Sequence, residues 1–305
     1  MSRKMRGNLM LLVTALIWGT AFVAQSAGMD YVKPFTFGAV RTLIGAVVLI
    51  PVTIFFTRQS PSHAAMSKDE KRVQTKNSVI GGIACGVVYT IASNLQQFGI
   101  SKTTAGKAGF ITALYIVIVP LFGVFAHKQI PKILWLCIAG AVVGFYLLCV
   151  NESFSVSAGD WLVLLCAVFF SLHILVIDYF VGKNVNGVMM SCVQFFTAGL
   201  ITLVPMLLFE SPTVSALWNA RLTLLYTGVM SCGAAYTLQI LGQRDTDPTI
   251  ATLLMSLESV FAAISGALIL HERMTIRELT GCILVFAAVI FAQIPLPVRK
   301  RNDIS

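Results

Sequence analysis

The 305-residue chain is 57% hydrophobic and only 11% charged, with a mean hydropathy of +0.83. Soluble domains are roughly half apolar and a quarter charged, so this composition excludes one. A formal charge of +9 would suit nucleic acid, but the basic residues gather on no polar segment large enough to form a domain, which excludes a nucleic-acid-binding module.

Ten apolar runs are each long enough to cross a hydrocarbon core of about 30 Å as a helix: 7–26, 34–56, 78–98, 104–126, 132–150, 159–181, 187–209, 219–242, 248–270 and 276–295. The first follows Met1-Ser2-Arg3-Lys4-Met5-Arg6, as a signal peptide would, but the stretch from Leu9 to Ala24 exceeds a usual h-region and nine more spans follow. It is expected to be an uncleaved first helix. Arg58 to Lys76 is the one long polar stretch and predicts a loop between the second and third spans. Elsewhere connections are short, so consecutive helices are expected to be antiparallel neighbours. With the N-terminus inside, cytoplasmic segments carry fifteen Lys and Arg and outer segments six, with Arg41 left inside a span. The positive-inside rule then places both termini in the cytoplasm of a protein integral to the cytoplasmic membrane. All seven cysteines fall in apolar spans with no Cys-x-x-Cys spacing, which predicts neither a disulfide framework nor a zinc site.

An internal repeat runs through the chain. Cys85-Gly86-Val87-Val88-Tyr89-Thr90 in the third span matches Cys232-Gly233-Ala234-Ala235-Tyr236-Thr237 in the eighth. Gly7-Asn8 opens the first span as Gly159-Asp160 opens the sixth, Pro51 lies late in the second as Pro205 does in the seventh, and His127 and His271 end the fourth and ninth. The fold expected is all-α and integral to the membrane, with ten transmembrane helices as two five-helix repeats, residues 1–150 and 156–305. Five is odd, so the repeats have inverted topology, an arrangement that secondary transporters use to hold a substrate site near the midplane. Gly82 and Gly86, Gly140 and Gly144, and Ala262 and Gly266 are spaced for close helix packing.

Two passages carry a family resemblance. Thr104 to Pro120, reading TAGKAGFITALYIVIVP, resembles the fourth helix of EamA-type members of the drug/metabolite transporter superfamily. Leu257-Glu258-Ser259-Val260-Phe261-Ala262-Ala263, leading through His271-Glu272-Arg273-Met274-Thr275 to Gly281, resembles that family's ninth helix, turn and tenth helix; Arg41 resembles an arginine common in its second. The resemblance spans the chain and implies ten helices, a central cavity and the export or uptake of small metabolites.

Polar side chains inside spans should face protein or a water-filled cavity. Tyr89, Ser93 and Gln96 or Gln97 form one stripe, and Tyr236, Gln239 and Gln243 another. Trp18 and Gln25 from the first span, Tyr115 from the fourth and Ser256 from the ninth complete the expected substrate cavity, for which we take Gln97 from its pair. The alternative is interhelical hydrogen bonding that only holds the bundle. Arg41 and Glu258 each need a partner or water at their depth. Glu258 is the candidate for a substrate amino group or a coupling proton, with Arg41 either neutralising it or anchoring a carbonyl. His173, deep in the sixth span, is a third titratable candidate, and Lys107, in the first turn of the fourth, a possible outer gate for anionic groups.

These features point to a secondary transporter moving a small polar or amphipathic metabolite, an amino acid or related compound first, by alternating access. Its partners are that substrate, membrane lipid, and a coupling proton or exchanged solute. The alternatives are an intramembrane protease or lipid-modifying transferase, against which His-Glu-x-x-His and paired mid-membrane aspartates are absent, and a lipid-linked substrate flippase. Without a Gly-x-x-x-x-Gly-Lys-Ser/Thr loop, no nucleotide or other cofactor is expected, nor a metal.

Overall fold

A computed structural model describes residues 2–103, 105–125, 130–149, 157–269 and 275–293. Among the described residues the chain is helical, with no strand. Its ten spans are α1 (Arg3–Gly28), α2 (Pro34–Gln59), α3 (Lys68–Ile100), α4 (Ala105–Thr112 and Tyr115–Phe125), α5 (Lys132–Cys149), α6 (Ala158–Val181), α7 (Gly187–Phe209), α8 (Arg221–Tyr226, Thr227–Ala235 and Tyr236–Gln243), α9 (Pro248–Met255 and Leu257–Ile269) and α10 (Ile276–Gln293). By length and composition eight could cross a membrane, while α5 and α10 contribute the shorter apolar stretches Lys132–Leu147 and Leu279–Ala292. His127, Lys128, the turn His271-Glu272-Arg273-Met274 and the C-terminal Arg299, Lys300 and Arg301 lie outside the described residues, as does the side chain of Lys107.

Helix starts follow local chemistry. Pro34 and Pro248 occupy first-turn positions where a missing N–H costs nothing. Ser157 and Asp160 form a reciprocal capping box at α6, and Asn186 caps α7 through the amide of Met189. The expected loop from Arg58 to Lys76 is mostly helix. A short helix spans Pro61–Ala65 and α3 begins at Lys68, because Ser67 and Glu70 make a second capping box that the low apolar periodicity of this stretch concealed. At 33 residues, α3 is about 50 Å long and projects beyond the hydrocarbon core.

Packing also departs from the neighbour expectation. The most extensive contacts join α2 to α7, α3 to both α6 and α7, α5 to α10, and α1 to α8 and α9, whereas α1 and α2 pack only sparsely on each other. Exchanging α1 with α6, α2 with α7, α3 with α8, α4 with α9 and α5 with α10 returns the α2–α7 and α5–α10 contacts to themselves and turns each of the others into another that is present. The two halves therefore interleave rather than sit side by side. Glycines set the closest approaches: a Cβ on Gly82 would lie 2.6 Å from Val193, one on Gly86 2.6 Å from Thr197, and one on Gly45 2.6 Å from Cys232.

The same exchange relates two polar fasteners at opposite ends of the bundle. At one end Thr246 Oγ1 donates to Asn8 Oδ1 at 3.2 Å, beside an ion pair of 3.0 Å between Arg6 and Asp245. At the other, Thr103 Oγ1 donates to Asp160 Oδ1 at 2.5 Å. Each joins the start of α1 or α6 to the chain just past the end of α8 or α3.

Candidate functional site

A cavity of about 30 Å³ lies where α1, α2, α3, α4, α6, α8 and α9 meet. It is narrow, and lined by Trp18, Phe22 and Gln25 from α1, Arg41 from α2, Tyr89 and Gln96 from α3, Thr112 and Tyr115 from α4, Phe170, His173 and Ile174 from α6, Ser231, Tyr236 and Gln239 from α8, and Glu258 from α9. Trp18, Phe22 and Gln25 recur at i, i+4 and i+7, so one face of α1 supplies all three.

The two tyrosines of the repeated motif touch each other. Tyr89 and Tyr236 meet edge to face with centroids 5.0 Å apart, Trp18 lies 4.6 Å from Tyr236, and the His173 ring is 5.9 Å from each tyrosine. Such aromatic pairs add about 0.5–1.5 kcal/mol beyond the area they bury. Rather than facing each other across open space, the tyrosines form one aromatic floor.

The charged groups divide between two positions. Tyr115 Oη donates to Glu258 Oε1 at 2.9 Å, with Glu258 only 3% exposed. Arg41 Nη1 donates to Gln25 Oε1 and its guanidinium lies 5.6 Å from the centroid of the Phe37 ring. Arg41 and Glu258 share the cavity but form no ion pair, and the carbonyl oxygen that Arg41 meets is that of the Gln25 side-chain amide. Unequal helix geometry sets these positions. α4 breaks at Ala113–Leu114 and α9 at Ser256; Tyr115 is the first residue after its break and Glu258 the second after its own. α8 is π-helical across Thr227–Ala235, which spans most of the second motif copy, whereas the first copy in α3 is regular α-helix.

Several lining atoms have no partner in the protein: Trp18 Nε1, Arg41 Nε, His173 Nδ1 and Gln239 Oε1. Buried polar atoms are ordinarily hydrogen-bonded, so a site presenting both donors and acceptors suits a polar solute or water. His173 Nε2 lies 2.9 Å from Gln194 Oε1.

Trp18, Gln25, Arg41, Tyr89, Tyr115, His173, Tyr236, Gln239 and Glu258 come together around this cavity, while Ser93, Gln97, Gln243 and Ser256 do not line it. Gln96 lines it in place of Gln97. Seven residues on from Tyr89 is about 20° off its direction around the helix and eight residues about 80°, so helical spacing alone could have chosen between them. Gln243 Nε2 donates to the Ile174 carbonyl at 3.1 Å, tying α8 to α6 two turns below Tyr236. Ser256 Oγ donates to the Leu253 carbonyl at 2.8 Å within the α9 break. Phe22, Thr112, Phe170, Ile174 and Ser231 carried no signal that separated them from packing residues; Thr112 is marked only by Gln96 Nε2, which donates to its hydroxyl at 3.2 Å.

The EamA-like transporter family model matches residues 5–150 and again 157–293. Among similar proteins, an uncharacterized transporter of Archaeoglobus fulgidus is 29% identical over 298 residues, covering 96% of this chain and 87% of that one. The uncharacterized transporter YoaV of Bacillus subtilis is 22% identical over 296 residues, covering 95% and 97%. A solved crystal structure with 16% sequence identity superposes at a TM-score of 0.74 over 94% of this chain and 96% of its own, a likeness of fold.

Proposed function

The chain belongs to the EamA-like transporter family, and from that premise we propose that it is a secondary transporter for a small polar or amphipathic metabolite, with amino acids or related compounds as the favoured class. It is a membrane transporter by family. In the finer reading, residues 1–150 and 156–305 are the two inverted repeats, both termini are cytoplasmic, and the cavity is exposed alternately to the two sides of the cytoplasmic membrane. The observation that carries the reading is the separation of charge inside one cavity: the Glu258 carboxyl held by Tyr115 on one side and the Arg41 guanidinium held by Gln25 on the other, with the aromatic floor of Trp18, Tyr89 and Tyr236 between the two halves. A zwitterion with an apolar side chain complements this arrangement, its ammonium toward Glu258, its carboxylate toward Arg41 and its side chain on the rings.

The Glu258 carboxyl is also the candidate carrier of a coupling proton, since it is buried, has one hydrogen-bond donor and is paired with no cation. Purified protein in proteoliposomes, screened against pooled amino acids, gives the substrate. Glu258→Gln is then expected to abolish the response of uptake to an imposed pH gradient while counterflow exchange of substrate persists. A Glu258→Gln protein with an unchanged rate and pH profile would falsify the coupling role.

A further inference from the structure

Beyond the central cavity, a groove of about 620 Å³ lies between the N-terminal half of α1, the break in α9 and the C-terminal half of α10. Its walls are apolar, among them Leu9 and Leu12 of α1, Leu257 of α9, and Phe286 and Ile290 of α10. Its rim is polar and basic: Lys4 stands beside Ser2 and Asn8. The first turn of α1 has no acidic residue, so its cations add to the positive end of the helix dipole instead of offsetting it. Arg6 is paired with Asp245, whereas Arg3 and Lys4 are exposed at the bundle end.

We propose that this groove binds an anionic phospholipid, with the headgroup phosphate at Lys4 and an acyl chain laid between α1 and α10 against the back of the α9 break. The chemistry selects this occupant. A free phosphate or nucleotide gains nothing from apolar walls, and a neutral lipid gains nothing from the basic rim. The site also has a route to the cavity. Leu254 and Leu257, which line the groove, flank Ser256, and Glu258, the next residue, lines the central cavity.

Purified full-length protein is titrated in detergent with phosphatidylglycerol or phosphatidylcholine, and bound lipid is counted by native mass spectrometry. Retention of one phosphatidylglycerol, several-fold preferred over phosphatidylcholine, is expected. A surface Lys contributes about 1 kcal/mol toward anionic lipid, so Lys4→Gln should cut that preference by about fivefold with an unchanged melting temperature. Leu12→Trp, which fills the groove, should lower the retention of both lipids. Equal binding of the two lipids by the unmodified protein, or a Lys4→Gln protein that keeps the preference, overturns the proposal. So does displacement of the lipid by millimolar inorganic phosphate, which would make the rim a simple anion site. Lipid loading that rises when Arg299, Lys300 and Arg301 are changed to Gln would make the C-terminal segment the occupant, and overturns it too. Binding needs no transported substrate, so this outcome is independent of the transport assay.

Discussion

At the scale of single residues, the pairing of Tyr115 with Glu258 carries the most consequence. A hydrogen bond to a charged group contributes about 1.5–3 kcal/mol, and Tyr115→Phe removes the only side-chain donor the Glu258 carboxyl has among the described residues. Transport by Tyr115→Phe in proteoliposomes should fall by about ten- to a hundredfold at saturating substrate, with the protein still folded; a rate within a factor of two of wild type would make the pair incidental. The types of residue at the site were legible in the sequence because a charge or a glutamine inside an apolar span has few innocent explanations. The pairing was not legible. Arg41 and Glu258 were natural partners by charge, but Gln25 lies one helix closer to Arg41, and the break in α4 turns Tyr115 toward α9. No one-dimensional pattern records which of two helices bends. Gln96 was the exception, available from helical angle alone.

Among the helices, α3 shows what apolar pattern misses and capping chemistry supplies. Its first three turns are polar, so they read as loop, yet Ser67 and Glu70 close a reciprocal box with the Ser67 amide donating to the Glu70 carboxylate at 2.8 Å. That backbone hydrogen bond first, and the Ser67 hydroxyl second, hold the Glu70 carboxyl below its usual range. A lowered carboxyl contributes stability that is present above its unfolded value, about 4.3, and is lost as pH falls through the lower folded value. Amide exchange in the first turn of α3, corrected for intrinsic rate, should therefore lose protection below about pH 4, and Glu70→Gln should flatten that pH dependence. Ser67→Ala should fray the turn at all pH values, at a cost of about 1 kcal/mol. The transmembrane stretches were more legible than their ends, since length and apolarity suffice for them, and the glycine spacing predicted close packing. Gly86→Val drives a branched side chain into Thr197 and the Gln194 carbonyl, at 2.6 and 2.7 Å from the added Cβ. Overpacking of this kind costs about 1–3 kcal/mol or more, so the variant should melt lower and purify poorly. Gly38→Ala meets Asn94 and Thr202 only at 3.5 Å and should be tolerated; equal melting temperatures for the two would contradict the α3–α7 packing.

In the whole molecule, the exchange relation among helix contacts links fold to transport. The repeat and its inversion were visible in sequence, but halves packed side by side and halves interleaved share the same motifs, and only the contacts of α3 with α6 and of α1 with α8 display the interleaving. Those contacts end in the two fasteners, Asn8 with Thr246 and Asp160 with Thr103, one at each end of the bundle and each joining opposite halves. If the halves rock against each other about the cavity, one fastener must part while the other holds, and then the reverse. The side chains at these positions meet at 3.2 and 2.5 Å, so cysteine pairs there are the natural candidates for a bridge. A protein carrying Asn8→Cys with Thr246→Cys, or one carrying Thr103→Cys with Asp160→Cys, should therefore lose transport on oxidation by at least about tenfold, the effect of some 1.4 kcal/mol on a rate. Reduction should restore it. Single-cysteine variants under the same oxidant control for damage elsewhere, and all seven native cysteines are first replaced by alanine or serine in a background shown to transport. Accessibility of Gln96→Cys to a membrane-impermeant thiol reagent then reports the state in which each bridge arrests the protein. The two bridges should give opposite labelling, because each holds shut a different end of one cavity. Identical labelling with full transport in both would mean that the fasteners are structural ties and that the solute passes without relative motion of the halves.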